Sequence, residues 1–360
     1  MLCLLCQIDL VYNFDDWRDF IVFCLTGVFL DLKIEHKKEI SMNLKGTIVF
    51  ASGKMGDFDI WALNLETEEV RQLTSGDSWN DCPRWSPDGS KIAFTSNRTG
   101  SSEIWIMNAN GTDQRQVTKG NFWNNSPDWS PCGKKIVFCA NYNGSIDIYT
   151  INVDGSGLER ITEYEGKDFT PRYSPDGKKI IFTSKRSGNP DIWQYDIETK
   201  NLKQLTEYQG SDFSPVYSPD GSKIVFISGD ATEKGGEDLE IYSMDPDGKN
   251  ECKIVKRVGS DRHVAFSPDG RYLVYASGID SSSTDRLVVA DLQSRKTKVL
   301  KFDRTKLDWE INSKLYVVDP KNDKAPFLYK LFSFFTPKWL LRGAHNESHF
   351  GTDRYPDWKY

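Results

Sequence analysis

Short alternating runs of apolar and polar residues fill most of the chain. One run covers residues 91–96, and a second, residues 103–106, follows it after a polar turn. β-Branched and aromatic residues at a period of two, bounded by Gly, Asn and Asp, are typical of β-strands. No stretch within these runs keeps a helical period over the length of a helix. The pattern therefore predicts a chain built of short strands.

A five-residue motif, an aromatic residue followed by Ser-Pro-Asp-Gly, separates the runs at regular distances. It begins at Trp85, Trp129, Tyr173, Tyr217 and Phe266, in three steps of 44 residues and one of 49. Pro presets the first central turn position and Gly supplies the left-handed one, so each copy predicts a tight turn between two strands. Cys132 replaces Asp in the second copy, but Gly133 is kept and the turn should survive.

A unit of four antiparallel strands that recurs about every 44 residues is the pattern of a β-propeller blade. We therefore expect an all-β fold, a β-propeller of four-stranded antiparallel blades over residues 46–360. Innermost strands ending near residues 85, 129, 173, 217, 266, 309 and 358 predict seven blades.

The end of the chain supplies the predicted closure of the ring. Asp353–Trp358 resembles Asn124–Trp129, so this C-terminal strand should complete the first blade and remove its free edge. The seventh copy, which begins at Leu307 and includes Lys314–Val318, has no Ser-Pro-Asp-Gly turn. Six blades plus a tail is therefore the alternative.

Residues 1–45 lie outside the repeat and form an N-terminal extension. The apolar stretch Phe20–Leu30 is shorter than the roughly 20 residues of a membrane span. Acidic residues surround Arg18, whereas a signal peptide has a basic leader. Two interpretations of residues 1–41 stay open, a non-native or mis-started extension and a genuine docking segment.

Composition narrows the class of partner. Asp and Glu number 52 against 46 Lys and Arg, which gives a net charge of −6 and a pI near 5.4. This balance argues against nucleic acid or an anionic membrane as the main partner. We expect a monomer without a membrane span. The seven cysteines show no disulfide spacing, which favours a reducing compartment.

The repeated phrase, aromatic-Ser-Pro-Asp-Gly-Lys-Ile-x-Phe, then Asp-Ile-Trp, then Gln-Leu-Thr, resembles the propeller repeat of the TolB family over about residues 46–360. Similar repeats occur in tricorn-type propellers and beside prolyl oligopeptidase domains. The resemblance implies a propeller, a partner-binding role and a periplasmic location, whereas the lack of an export signal favours the cytoplasm. The sequence has no Gly-x-Ser-x-Gly nucleophile elbow, so a peptidase is not expected.

The four histidines give little support for catalysis or for a metal site. They are His36, His263, His345 and His349. His345 and His349 have the spacing of a metal pair on a helix, but they lie in a predicted loop. His263 alone lies in an innermost strand, whereas some propeller lyases that act on oligogalacturonate carry a histidine-lined metal site.

A better candidate site repeats with the blades. One polar residue lies three positions before the Pro of each innermost strand, or before Val264 where Pro is absent: Asn80, Asn124, Asp168, Asp212, Asp261 and Asp353. Asp and Asn cap turns, and this structural interpretation explains the repetition. The functional interpretation is a polar rim at one channel mouth that holds a cation or a basic peptide group. A channel-bound cation is the one cofactor that these residues suggest.

Trp79 and Trp123 precede two of these innermost strands and are candidate anchors for a partner or a sugar. Packing between blades explains them equally well. We expect a non-catalytic TolB-like propeller, a WD40-like repeat scaffold that binds a protein, peptide or ligand through one face and the channel mouth. The alternative is a carbohydrate-active enzyme of the oligogalacturonate-lyase kind, or a sugar-binding protein.

Overall fold

The computed structural model describes residues 23–25, 28–30, 44–54, 57–207, 209–229, 239–255, 260–278, 286–300 and 314–317. The chain divides into two compact units, Met1–Met42 and Asn43–Tyr360. In the first unit, β1 (Phe23–Leu25) pairs with β2 (Val28–Leu30) in an antiparallel two-stranded sheet.

The second unit contains six four-stranded antiparallel sheets among its described residues. Blade 1 joins β26 (Lys314–Val317), β3 (Thr47–Lys54), β4 (Asp57–Asn64) and β5 (Val70–Gln72). Blade 2 is β6 (Asn80–Trp85), β7 (Lys91–Ser96), β8 (Glu103–Asn108) and β9 (Arg115–Gln116). Blade 3 is β10 (Asn124–Trp129), β11 (Lys135–Ala140), β12 (Asp147–Asn152) and β13 (Glu159–Arg160).

The remaining blades follow the same order. Blade 4 is β14 (Asp168–Tyr173), β15 (Lys179–Ser184), β16 (Asp191–Asp196) and β17 (Leu202–Gln204). Blade 5 is β18 (Ser211–Tyr217), β19 (Ile224–Gly229), β20 (Glu240–Met244) and β21 (Cys252–Lys253). Blade 6 is β22 (Ser260–Phe266), β23 (Tyr272–Gly278), β24 (Arg286–Asp291) and β25 (Lys296–Val299).

The predicted seven blades are wrong, and the alternative of six blades is correct. β26 does not begin a seventh sheet but pairs antiparallel with β3, with Leu315 opposite Phe50 and Val317 opposite Ile48. It also contacts β6 and β22, so it is the innermost strand of blade 1. Among the described residues β26 pairs with β3 alone, and no Ser-Pro-Asp-Gly turn precedes Lys314 in the sequence.

The ring is thus closed by a later strand, as predicted, but the segment differs. The sequence predicted Asp353–Trp358 for this role, whereas the strand that pairs with β3 is Lys314–Val317. Asp353–Trp358 lies outside the described residues.

The hydrophobic core lies between neighbouring blades. One buried cluster combines Ala93, Ile104 and Ile106 of blade 2 with Ile136 and Phe138 of blade 3. The second strands of blades 1 to 5 each bury a phenylalanine at the equivalent position: Phe50, Phe94, Phe138, Phe182 and Phe226. Both faces of each sheet meet another blade, so alternate residues pack into different junctions and large flat rings fill the space.

The repeated turns pack against one another around the central axis. In the first turn, Ser86 N–H bonds Lys91 O at 2.8 Å and Gly89 adopts a φ of 65°. A Cβ atom at Gly177 would lie 3.5 Å from Pro131 of the preceding turn, and the turns at Gly133, Gly221 and Gly270 repeat this contact. The turn that contains Cys132 keeps the Gly133 to Ser130 hydrogen bond, at 2.8 Å, which confirms that it survives the substitution.

Each innermost strand of blades 2 to 6 carries a β-bulge. The bulged residues have φ between 52° and 56°, and they are Cys82, Ser126, Thr170, Ser214 and His263. Non-glycine residues seldom adopt this left-handed conformation, so its recurrence marks a constraint of the fold. In blades 2 to 5 the next residue is a proline, which donates no hydrogen bond to the ladder.

Candidate functional site

The described rim residues lie at or near the start of the innermost strands, and the four with described side chains are buried. Asn80, Asn124 and Asp168 are 0% exposed and Asp212 is 1% exposed. Asp261 lies in β22 without a described side chain, and Asp353 is outside the described residues. The four described side chains are therefore placed between blades.

At the first two junctions the rim residue is an asparagine that bonds the acid of the preceding blade. Asn80 Nδ2 donates to Asp59 Oδ1 at 3.1 Å, and Asn124 Nδ2 donates to Glu103 Oε2 at 3.0 Å. Arg98 Nη2 also donates to Asn80 Oδ1 at 2.8 Å. Burial raises the pKa of both Asp59 and Glu103, and hydrogen bonds from Thr74 and Thr118 partly oppose that rise.

At the third junction the rim residue is an aspartate that is neutralised by an arginine. Arg186 Nη2 lies 2.6 Å from Asp168 Oδ2, and its guanidinium stacks on the Trp193 ring, 4.9 Å from the centroid. The acid of the preceding blade, Asp147, forms its own ion pair with Arg160 at 2.6 Å. Two carboxylates and two guanidinium groups therefore balance at this junction.

At the fourth junction the corresponding carboxylates lack such a balance among the described residues. Neither oxygen of Asp212 accepts a hydrogen bond from a described residue, and Asp191 is the acid of the preceding blade. Burial, with a smaller contribution from the charges of Glu251 and Asp191, raises the pKa of Asp212 to about 6. The hydroxyls of Ser228 and Thr206 lie close enough to offset part of this effect, although neither is aligned for a hydrogen bond.

These contacts support the structural interpretation for Asn80, Asn124 and Asp168, because hydrogen bonds or an ion pair hold each of these buried side chains. The proposal that the rim holds a cation or a basic peptide group stays a prediction. Within the described part of the chain, no group of three or more His, Cys, Asp or Glu residues has the geometry to hold a metal ion. Of the four histidines only His263 is described, and it is buried in β22.

The aromatic candidates lie at the same end of the strands. Trp123 is half-buried and packs on the core cluster of blades 3 and 4, and its backbone N–H donates to Asn141 Oδ1 at 2.9 Å. Trp79 is also half-buried, and its backbone N–H donates to Asn97 Oδ1 at 2.7 Å. Phe122 is more accessible, at 39% exposure, and packs edge-on against Tyr142. Packing on the core therefore explains the position of the Trp123 side chain, whereas the ring of Phe122 is exposed.

A pocket opens at the opposite end of the channel, which we call the turn-end mouth. It has a volume of about 290 Å³, and five prolines frame it: Pro87, Pro131, Pro175, Pro219 and Pro268. Since these prolines come from the turns of blades 2 to 6, the pocket lies on the axis. Its charged lining residues in the described chain are Asp128 and Arg172, each 2% exposed.

The two oxygens of Asp128 differ in their contacts. Oδ2 accepts the backbone N–H of Tyr173 at 3.2 Å, whereas Oδ1 is buried and accepts no hydrogen bond from any described residue. Arg172 Nη1 donates to Pro171 O at 2.5 Å. The pocket therefore presents a buried acceptor among proline and aromatic walls.

Neither Asp128 nor Arg172 was predicted as a site residue, although the repeat contains a signal for both. Both follow the proline of an innermost strand, as the buried Arg84 does in blade 2, whereas the later copies have Val216 and Ala265 at this position. Charged residues in three of the five copies are informative, but their meaning depends on the turns that surround them.

Comparison with known proteins agrees with this architecture. The TolB beta propeller domain matches residues 45–141 and 112–304, more than half of the chain. The chain belongs to the TolB beta propeller family. The resemblance seen in the repeats is thereby confirmed. No curated protein sequence matches the chain.

This TolB-type propeller is similar in structure to solved proteins of different function. TolB from Acinetobacter baumannii is 25% identical with a TM-score of 0.62, and the match covers 75% of this chain and 65% of that one. This chain thus spans slightly less than two thirds of that TolB.

Two further structures show likeness of fold alone. Hydrazine synthase of Kuenenia stuttgartiensis is 17% identical with a TM-score of 0.62, covering 79% of this chain and 47% of its own. Oligogalacturonate lyase from Vibrio parahaemolyticus is 16% identical with a TM-score of 0.53, covering 80% and 86%. The described part of this chain contains no helix that is long and apolar enough to cross a membrane.

Proposed function

We propose that this propeller is a non-catalytic binding scaffold that holds a segment of a partner protein at its turn-end mouth. The observation that carries the proposal is the axial pocket with a buried oxygen of Asp128 that accepts no hydrogen bond among the described residues. A buried acceptor without a donor is costly, and a bound partner group removes that cost.

The surroundings of the pocket favour a partner that inserts a small group rather than a large ligand. Drug-sized ligands occupy clefts of about 300–1,000 Å³, and the pocket lies at the lower limit of that range. The five turns form a preorganised rim, because each described glycine contact abuts the preceding proline. Preorganisation reduces the entropy that binding must overcome.

Site-specific photo-crosslinking tests both the class of partner and the end of the channel. Tyr173 lines the turn-end mouth, and Tyr164, in the loop before the same strand, is a matched control at the opposite end. Each tyrosine is replaced in turn by the photoreactive analogue p-benzoylphenylalanine in the full chain. We expect a specific protein adduct from position 173, which an excess of unlabelled protein competes away, and little from position 164.

Adducts from position 164 alone would contradict the turn-end placement and return attention to the face with Trp79 and Trp123. If position 173 captures no protein and oligogalacturonate binds in a calorimetric titration, the protein-binding role is wrong. The carbohydrate alternative would then replace it.

A further inference from the structure

We infer that the turn-end mouth recognises an uncharged hydrogen-bond donor, a primary carboxamide carried on an apolar stem, through Asp128. This inference rests on the proposed function, because it names the chemical group that the same pocket receives. Three features of the pocket carry it: the acceptor, the charge balance and the walls.

The acceptor is the first feature. Asp128 is 2% exposed, and Tyr173 N–H already occupies Oδ2 at 3.2 Å. Oδ1 accepts nothing among the described residues, although it belongs to a side chain that lines the pocket. A ligand that fits here must bring an N–H or O–H donor, and a hydrogen bond to a charged acceptor is stronger than one between neutral groups.

The charge balance selects against a cationic donor. Arg172 lines the same pocket and is also 2% exposed, so the described lining residues sum to zero. An ammonium group would add a net charge in a poorly solvated space and would lie near a guanidinium group. Desolvating an uncompensated charge costs several times more than desolvating an amide. A carboxamide supplies the donor for Asp128 without changing the net charge.

The walls define the rest of the ligand. Trp129, Tyr217 and Phe266 line the pocket together with the five prolines, so its sides are mainly apolar. Such walls favour a methylene stem that leads to a polar tip. A glutamine side chain of the partner has this construction, with two methylene groups and a terminal carboxamide.

Three small probes test the inference on the full-length protein. They are the N-acetyl, N′-methylamide derivatives of glutamine, glutamate γ-methyl ester and lysine. The first two share a carbonyl and differ in the group attached to it, an NH₂ that can donate to Asp128 in glutamine and a methoxy group that cannot in the ester. Dissociation constants are measured by saturation-transfer NMR up to about 10 mM.

We expect the glutamine probe to bind about tenfold more tightly than the ester, which corresponds to one charge-assisted hydrogen bond. The lysine probe should bind no more tightly than the ester. Tightest binding of the lysine probe would overturn the inference in favour of a cation site. Equal binding of glutamine and ester, or no binding of any probe, would also overturn it.

The variant Asp128→Asn adds a second test. Tyr173 N–H requires an acceptor, so the amide of the variant should keep its carbonyl on that N–H and turn its NH₂ toward the pocket. The preference for glutamine over the ester should then fall to less than about twofold. A preference that persists unchanged would show that Asp128 is not the recognition group.

The probe comparison on the unmodified protein does not depend on the folding of this variant. Failure of all probes together with a protein adduct from position 173 would reject only the carboxamide inference. Absence of that adduct together with glutamine-selective binding would reject only the protein-partner proposal.

Discussion

Replacing Asp212 with asparagine should stabilise the protein at neutral pH. At the first two blade junctions the equivalent residue is Asn80 or Asn124, and each donates to the acid of the preceding blade at 3.1 or 3.0 Å. Asp212 is a carboxylate at the same position, with no hydrogen bond to either oxygen among the described residues. The substitution restores the arrangement that the protein itself uses elsewhere.

The magnitude follows from the pKa of Asp212. Burial raises that pKa from 3.8 to about 6 in the folded state. The native state therefore holds a proton between about pH 4 and pH 6 that the unfolded chain has released. The stability from this group is complete below about pH 4, falls as pH rises to 6 and is lost above it. A shift of about two units corresponds to about 3 kcal/mol.

The assay is urea unfolding followed by tryptophan fluorescence, with the unmodified protein and Asp212→Asn compared from pH 4 to pH 7.5. The variant should be more stable by up to about 3 kcal/mol at pH 7.5, and the difference should shrink as pH falls to 4. Asp168→Asn is the matched control. Burial raises the pKa of Asp168 as well, but this residue has a charged partner in Arg186 at 2.6 Å, so the variant should lose about 1–3 kcal/mol at pH 7.5.

A difference in stability that does not change between pH 4 and pH 7.5 would refute the raised pKa of Asp212. A clear loss of stability in Asp212→Asn at pH 7.5 would show that the carboxylate has a stabilising partner, and a bound cation would then be tested by adding calcium.

Two further predictions concern the second turn and the closure of the ring. Cys132 should react with a disulfide reagent at pH 7 several times faster than Cys252, which is also exposed, because the Ser130 hydroxyl and the Lys134 N–H lower the pKa of Cys132. Peptide mapping by mass spectrometry measures both rates, and an unchanged rate in Ser130→Ala would contradict the stated cause. Truncation after residue 313 should abolish cooperative unfolding, because β3 loses β26, whereas truncation after residue 317 keeps the paired strand. Equal unfolding midpoints of the two truncated chains in urea would refute this closure.

The strands and their turns could be predicted because they depend on local sequence. The alternating run at residues 91–96 became β7, and the motif that begins at Trp129 became a turn although Cys132 replaces the aspartate. Turn residues and a period of two act over a few positions, so a single sequence contains the information.

The sequence predicted that a later strand would close the ring, but it did not identify the correct strand. Lys314–Val317 and Asp353–Trp358 both offer short alternating segments, and their pairing with β3 depends on distances across the whole ring. The sequence favoured the segment that resembled Asn124–Trp129. In the structure, the strand that pairs with β3 is instead Lys314–Val317, which lies nearer to blade 6 in the sequence.

The candidate sites were harder to predict, because repetition gives the height of a residue but not its surroundings. Asp168 and Asp212 were correctly placed at equivalent positions near the start of innermost strands. Both side chains are buried, which a repeat count does not reveal. Asp128 was missed since its pocket forms only when five separate turns meet on the axis.

The position of β26 has a consequence for the way this protein is made. β3 ends at Lys54, while its inner partner begins at Lys314. Ribosomes add about 5–20 residues per second, so the nascent chain carries an unpaired β3 edge for on the order of ten to fifty seconds. An unpaired edge invites pairing with other chains. Slow synthesis or crowding of ribosomes on one message should therefore promote aggregation before release, and a chaperone that covers β3 during this interval should raise the yield.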